Sequence, residues 1–146
     1  MRLTTTSRYG VRAVVDIVLN QGFGPVSIHS ISKRQNISIK YLESILRPLK
    51  INGILDSTKG VNGGYHFSMD PNKVTPGDIV RILEGTFDLV YCLSNDETNQ
   101  CERSNKCSTR NLWNNLKLAI ESVLDSISVQ ELADQQANLN KGANSV

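Results

Sequence analysis

Apolar positions along the first third of the chain recur at helical intervals. Val11, Val14, Val15, Val18 and Leu19 fall on one stripe, the spacing of an amphipathic helix. Thr4 to Ser7 supply caps ahead of it, and residues 20–24 close it. Ser27 then caps a short helix carrying Ile28 and Ile31, which ends at Asn36, a residue that tolerates the left-handed turn. Ser38 caps the next helix, whose Ile39, Leu42, Ile45, Leu46 and Leu49 form a buried stripe. The opposite face carries Lys40, Tyr41, Glu43, Ser44, Arg47 and Lys50. Pro48 removes one backbone donor from this pattern, so a kink is expected at residues 44–47. Asn52-Gly53 ends the helix.

Residues 54–58 alternate as a strand does, and residues 65–68 alternate again. Between them lies Lys59-Gly60-Val61-Asn62-Gly63-Gly64, a hairpin tip whose glycines permit positive φ angles. Thr75-Pro76 opens a helix carrying Ile79, Ile82 and Leu83 that stops at Gly85. Residues 88–106 are polar and irregular apart from Leu89-Val90-Tyr91. Ser108 caps a long helix in which Leu112, Leu116, Ile120, Val123 and Ile127 recur every three or four residues. Ser128 with Glu131 is a capping box for a last short helix, and the polar tail from Ala137 is expected to be disordered.

These elements give a mainly α fold with a small β-hairpin. Two short helices separated by a tight polar turn have the layout of a helix-turn-helix, and a hairpin directly after it makes a wing. The chain divides into a winged helix-turn-helix domain (1–85), a cysteine loop (86–107), a long helix plus a short C-terminal helix (108–136) and the tail (137–146). The long helix has more apolar face than the preceding domain can cover. A homodimer built on that helix is expected, and it would pair two recognition helices as two-fold DNA sites require.

The net charge of +2 hides an asymmetry. Residues 1–66 hold nine Lys or Arg against three Asp or Glu, a balance of +6, and the remainder carries −4. A basic half suits a polyanion, because each cation near a phosphate releases counterions. Solvated surface charge is the plainer alternative. No apolar run approaches the length of a membrane span, and the N-terminus has no signal-peptide core, so a cytoplasmic protein without membrane contact is expected.

Double-stranded DNA is the partner that this pattern fits. Ser38, at a helix N-terminus, suits a phosphate alongside the free backbone N–H groups there. Lys40 and Tyr41 stand on the first exposed turn, while Arg47 and Lys50 suit phosphates. Glu43 either accepts from a cytosine amino group or pairs with Arg47 one turn on, and the spacing leaves both open. Lys59 with the flexible Gly60 to Gly64 tip, Gly60 and Gly63 above all, fits a minor groove, and Arg2, Arg8 and Tyr9 can clamp the backbone beside the motif. His29 and His66 have no partner for acid–base work, so a thiol enzyme is disfavoured.

Cys92, Cys101 and Cys107 form a C-x8-C-x5-C pattern in the polar loop. An odd number of cysteines argues against a structural disulfide set. Soft thiolates favour an iron–sulfur cluster, zinc or copper(I), and a zinc site would want a fourth closed ligand. Free thiols and a thiol–disulfide switch remain open.

Taken together, Met1-Arg2-Leu3-Thr4, Arg8-Tyr9, Ile37-Ser38, Tyr41-Leu42-Glu43, Asn52-Gly53-Ile54-Leu55, Lys59-Gly60, Gly63-Gly64-Tyr65, the three cysteines and Asn111-Leu112-Trp113 resemble the IscR/NsrR family of winged-helix bacterial regulators. The resemblance spans nearly the whole chain. It implies homodimers with a crossed long helix, recognition helices in adjacent major grooves, wings in the minor groove, and an iron–sulfur cluster (2Fe–2S or 4Fe–4S) held by the three cysteines. Two departures stand out. Arg110 occupies the place where iron–sulfur assembly regulators carry a ligand histidine, and Arg8 the place where nitric oxide sensors recruit a carboxylate. Asp96, Glu97 and Glu102 are nearby carboxylates, and the first inter-cysteine gap is longer than is usual in the family. Some relatives carry no cluster and sense cysteine metabolism through a partner protein, so a cluster-free regulator is the alternative.

Overall fold

The computed structural model describes residues 3–94 and 101–144. Six helices and one hairpin follow in chain order: α1 (Thr5–Asn20), α2 (Ile28–Gln35), α3 (Ile39–Ile51), β1 (Leu55–Thr58), β2 (Gly64–Phe67), α4 (Pro76–Glu84), α5 (Ser108–Asp125) and α6 (Val129–Asn144). Local capping chemistry sets the starts. Thr4 accepts from the Ser7 N–H, Ser27 from Ser30, Ser38 from Tyr41 and Thr75 from Asp78, each relieving an unpaired donor of a first turn. Asn36 closes α2 in the left-handed conformation at φ 54°. α3 continues unbroken through Pro48 to Ile51, and the Asn52 side-chain amide donates to the Pro48 carbonyl.

β1 and β2 pair antiparallel, with Leu55 opposite Phe67 and Thr58 opposite Gly64. Val26, just before α2, bridges to Tyr65 through two backbone hydrogen bonds of 2.8 Å, which fixes the wing to the helix-turn-helix. The core gathers Val14 and Ile17 of α1, Ile31 of α2, Leu42, Ile45, Leu46 and Leu49 of α3, Leu55 of β1 and Ile79 of α4. Truncating one such leucine to Ala costs about 2–5 kcal/mol, so these contacts hold the angle between α2 and α3 firmly. α1 crosses α4 closely at Gly10, where a Cβ would lie 2.4 Å from Leu83 Cδ1.

Two C-terminal expectations need correction. Ser108 is the first residue of α5 and not its cap; the N-cap position is Cys107, without a side-chain capping hydrogen bond, and Ile127 falls beyond the end of the helix. The last helix is not short, and residues 137–144 are not a disordered tail. The capping box of Ser128 and Glu131 is present, but α6 then runs to Asn144. Val129 and Ala133 are buried with the core, and α6 packs along α1. Further out, hydrogen bonds from Gln130 to Asp134 and from Gln136 to Asn140 support a polar helix at i,i+4 spacing. No helix among the described residues is long and apolar enough to cross a membrane.

Candidate nucleic-acid interface and cysteine site

The open face of α3 is a consequence of its buried one. With Leu42, Ile45, Leu46 and Leu49 turned to the core, Lys40, Glu43, Ser44 and Arg47 stand exposed at i, i+3, i+4 and i+7. Ser38, also exposed, heads the helix. Lys50 is less free than its position suggests, because its ammonium donates to the Ser57 hydroxyl of β1. Tyr41 does not share the open face. It is half-buried, its hydroxyl lies 2.8 Å from Thr6 Oγ1, and its ring meets Tyr9 edge-on at 5.8 Å. The Arg12 guanidinium covers Tyr9 at 5.2 Å, so both tyrosines brace α3 against α1. Arg2 lies outside the described residues.

A second brace was not legible in the sequence. Asp16 of α1 is 2% exposed and accepts a two-pronged ion pair from Arg34, with Nη2–Oδ1 at 2.6 Å and Nε–Oδ2 at 2.9 Å. Gln35 Nε2 adds a bond of 2.8 Å to the same carboxylate, and Arg12 in turn donates to Gln35. The hydrogen bond donated to Asp16 raises the Arg34 pKa, burial opposes it and the Asp16 charge adds to the rise. The only signal in the chain is an acid inside the apolar run Val14-Val15-Asp16-Ile17.

At the wing, Gly60 adopts φ 109°, as expected of a tip glycine. Gly63 serves a different need, since a Cβ there would lie 2.1 Å from the Thr58 carbonyl oxygen. Gly64 likewise leaves no room, with Val26 backbone atoms 2.3 Å from a built Cβ. Lys59 is exposed beside the tip. Tyr65 approaches the recognition helix, and burial followed by the nearby Glu43 charge pushes its phenol upward in pKa.

The cysteines occupy the junction before α5. Cys92 sits in the 3₁₀ turn Tyr91–Leu93, Cys101 precedes the turn Ser104–Lys106, and Cys107 is the N-cap of α5. All three are partly exposed free thiols. The Cys101 thiol, with smaller contributions from burial and from Cys92 and Cys107, holds the Tyr91 phenol above its ordinary pKa. Cys107 lies 3.1 Å from the Thr109 hydroxyl, and that bond with the Arg110 N–H holds the thiol below its usual range. Arg110 also donates to the Cys92 carbonyl at 3.3 Å, so this residue organises the loop by hydrogen bonding. The donor set is soft. Among the described residues, however, no group of three or more His, Cys, Asp or Glu side chains is arranged to hold a metal ion. Glu102 is exposed, and Asp96 and Glu97 lie outside the described residues.

α5 links this junction to the winged domain. Midway along it Lys117 pairs with Asp88 at 2.7 Å, and at its end Asp125 bonds Thr75, the N-cap of α4, and Arg81 in the last turn of that helix. Burial opposes ionisation of Asp88, but the bonds from Lys117 and Thr86 outweigh it and lower its pKa. Along its length α5 has no buried residue, and Leu112, Leu118 and Val123 are among the most exposed apolar side chains. Trp113, Leu116, Ile120 and Val123 line one side of a cleft of about 1080 Å³ whose other wall includes Leu3, Val80 and Phe87.

This arrangement has known counterparts. Residues 3–135 match the Rrf2 family, described as iron-dependent transcriptional regulators. The chain is 35% identical over 136 residues to the HTH-type transcriptional regulator IscR of Yersinia pseudotuberculosis, covering 93% of this chain and 81% of that one. Among solved structures it is similar to CymR, the global cysteine regulator of B. subtilis, with a TM-score of 0.76 and 33% identity over 92% of this chain and 98% of that one. It is equally similar to T. potens IscR, with a TM-score of 0.75 and 34% identity over 93% of this chain and 88% of that one. These relatives are regulators and not enzymes. A family match across most of the chain, joined to a winged helix-turn-helix with an open recognition face, places this protein in the Rrf2 family of transcriptional regulators.

Proposed function

We propose that the protein is a homodimeric repressor whose affinity for operator DNA is set by an iron–sulfur cluster bound at Cys92, Cys101 and Cys107. The observation that carries this reading is the course of α5. It starts directly after Cys107, its N-cap residue, and ends at Asp125, which is bonded to α4 of the winged domain. A change of bonding at Cys107 therefore acts on a helix whose far end is attached to the DNA-binding unit.

In this reading Ser38 and the first N–H groups of α3 receive a phosphate, Lys40 and Glu43 face base edges, and Arg47 takes backbone phosphates. Lys50, tied to Ser57, and Arg2, Tyr9 and Tyr41 contribute at the margin. Lys59, Gly60 and Gly63 bring the wing to the minor groove. The exposed stripe of α5 is covered by a second copy, which sets two α3 helices on one face of the duplex. When bound, the cluster supplies a centre that is altered by oxygen, nitric oxide or iron supply. The three cysteines would hold it, with Arg110 keeping the Cys92 carbonyl in place.

A cluster-free regulator, worked by a thiol switch or a partner protein, is favoured by one observation. Arg110 and Arg8 stand where the family's fourth ligands are expected, and the described residues offer no replacement. The test is anaerobic purification with iron and acid-labile sulfide quantified, and binding to duplexes selected from a random library measured before and after air exposure. The expected protein is coloured, carries iron and sulfide, and changes affinity in air. Cys101→Ala should remove the iron and leave the helical spectrum intact. A colourless dimer without iron after anaerobic reconstitution would overturn the cluster reading in favour of the thiol or partner mechanism.

A further inference from the structure

The wing tip presents an apolar side chain for which the protein has no use. The Gly63 N–H donates to the Gly60 carbonyl at 3.0 Å, so Val61 and Asn62 are the central pair of a tight turn. The turn is fixed from both sides. Gly63 is pressed on the Thr58 carbonyl and Gly64 on Val26, neither with room for a Cβ. At the apex Val61 is fully exposed, at 104%, and Lys59 stands exposed two residues before it.

A β-branched hydrophobe held at the apex of a rigid turn, with a cation beside it, fits a narrow anionic groove. The B-DNA minor groove is about 6 Å wide, and over A·T pairs its floor carries acceptors only. Over G·C pairs the guanine amino group projects into the same space as a donor. Valine can neither accept from that donor nor yield to it, because two methyl groups on Cβ allow little rotation. The donor would be desolvated without a partner.

Resting on the reading above that the wing enters the minor groove, we propose that Val61 lies against the groove floor and excludes guanine there. The wing thereby selects A·T pairs beneath its tip. A protein partner docking on the same apex is the rival occupant.

Inosine separates the possibilities, since an I·C pair shares the major-groove face of G·C but lacks the minor-groove amino group. Duplexes are selected from a random library with the full-length protein, and the positions under the wing are found by hydroxyl-radical protection. Affinity is then measured with A·T, I·C or G·C at those positions. The wild-type protein should bind the A·T and I·C duplexes alike and the G·C duplex about tenfold more weakly. Val61→Ala should bring the three within twofold of one another and keep its preference over unrelated DNA. Val61→Thr, which keeps the shape and adds an acceptor, should recover part of the G·C affinity. Equal binding of I·C and G·C by the wild type, or undiminished discrimination by Val61→Ala, would overturn the proposal and leave DNA binding standing. Failure to select any duplex would overturn both.

Discussion

Arg81 of α4 grips Asp125 at the end of α5 with both guanidinium nitrogens, at 3.0 Å and 2.5 Å. The same carboxylate accepts from Thr75 and lies over Gly77, where a Cβ would sit 1.9 Å from Oδ1. The long helix whose N-cap is a cysteine is thus seated along α4 of the winged domain, from the N-cap Thr75 to Arg81 in the last turn.

That seat should have a pH signature. The hydrogen bond from Arg81 lowers the Asp125 pKa, burial opposes it, and Thr75 and the Arg81 charge add to the lowering. A depressed folded pKa contributes stability that is present above the unfolded carboxylate value, about 3.9, and is lost as pH falls through the folded one. Asp125→Asn should therefore be less stable than the wild type at pH 7, and the two should converge below about pH 4. The side chain is 40% exposed, so the gap at neutral pH should stay below about 1 kcal/mol. Urea denaturation across the acid range reads it, and parallel curves would contradict the assignment.

The brace between α1 and α2 is buried and should cost more to break. Arg34→Ala strands the Asp16 carboxylate at 2% exposure, an expected loss of about 3 kcal/mol in chemical denaturation. Adding Asp16→Asn to it should restore part of that loss, because the uncompensated charge is gone. Additive losses would argue against a paired carboxylate.

Gly63→Ala probes the wing. The Cβ would meet the Thr58 carbonyl, which is backbone and cannot swing aside. The variant should keep its core, lose about 1–3 kcal/mol of stability and bind selected duplexes more weakly. Wild-type affinity would mean that the tip does not touch DNA.

The exposed face of α5 predicts the oligomeric state. Val123, 68% exposed on the apolar cleft, should be covered in a homodimer. Val123→Glu should shift sedimentation from dimer to monomer with little change in the circular dichroism spectrum. A dimer of wild-type stability would place the interface elsewhere.

Much of this fold is written locally. Ser27, Ser38, Thr75 and Ser128 act within three residues of themselves, so their capping roles were readable, as were the apolar stripes. What stayed hidden depends on partners distant in the chain. Tyr41 looked like part of an open polar face because nothing nearby reveals Thr6 and Tyr9. The role of Asp16 was not legible because its partner Arg34 lies on another helix. Gly63 and Gly64 read as flexibility, whereas each is required by a close backbone approach that exists only after the wing folds. The length of α6 was missed because its outer turns are held by polar i,i+4 pairs, which composition alone takes for a tail. The cysteine spacing names soft ligands, but the placing of each thiol depends on the turns on either side, which the spacing does not reveal.

The most direct test is a titration of selected operator duplexes with the Lys40→Glu, Lys59→Glu protein over a range of salt concentrations. Both side chains are exposed, so the fold should survive. The expected result is a loss of affinity of at least about tenfold and a shallower salt dependence. Unchanged affinity and slope in a folded double variant would mean that neither the open face of α3 nor the wing meets DNA.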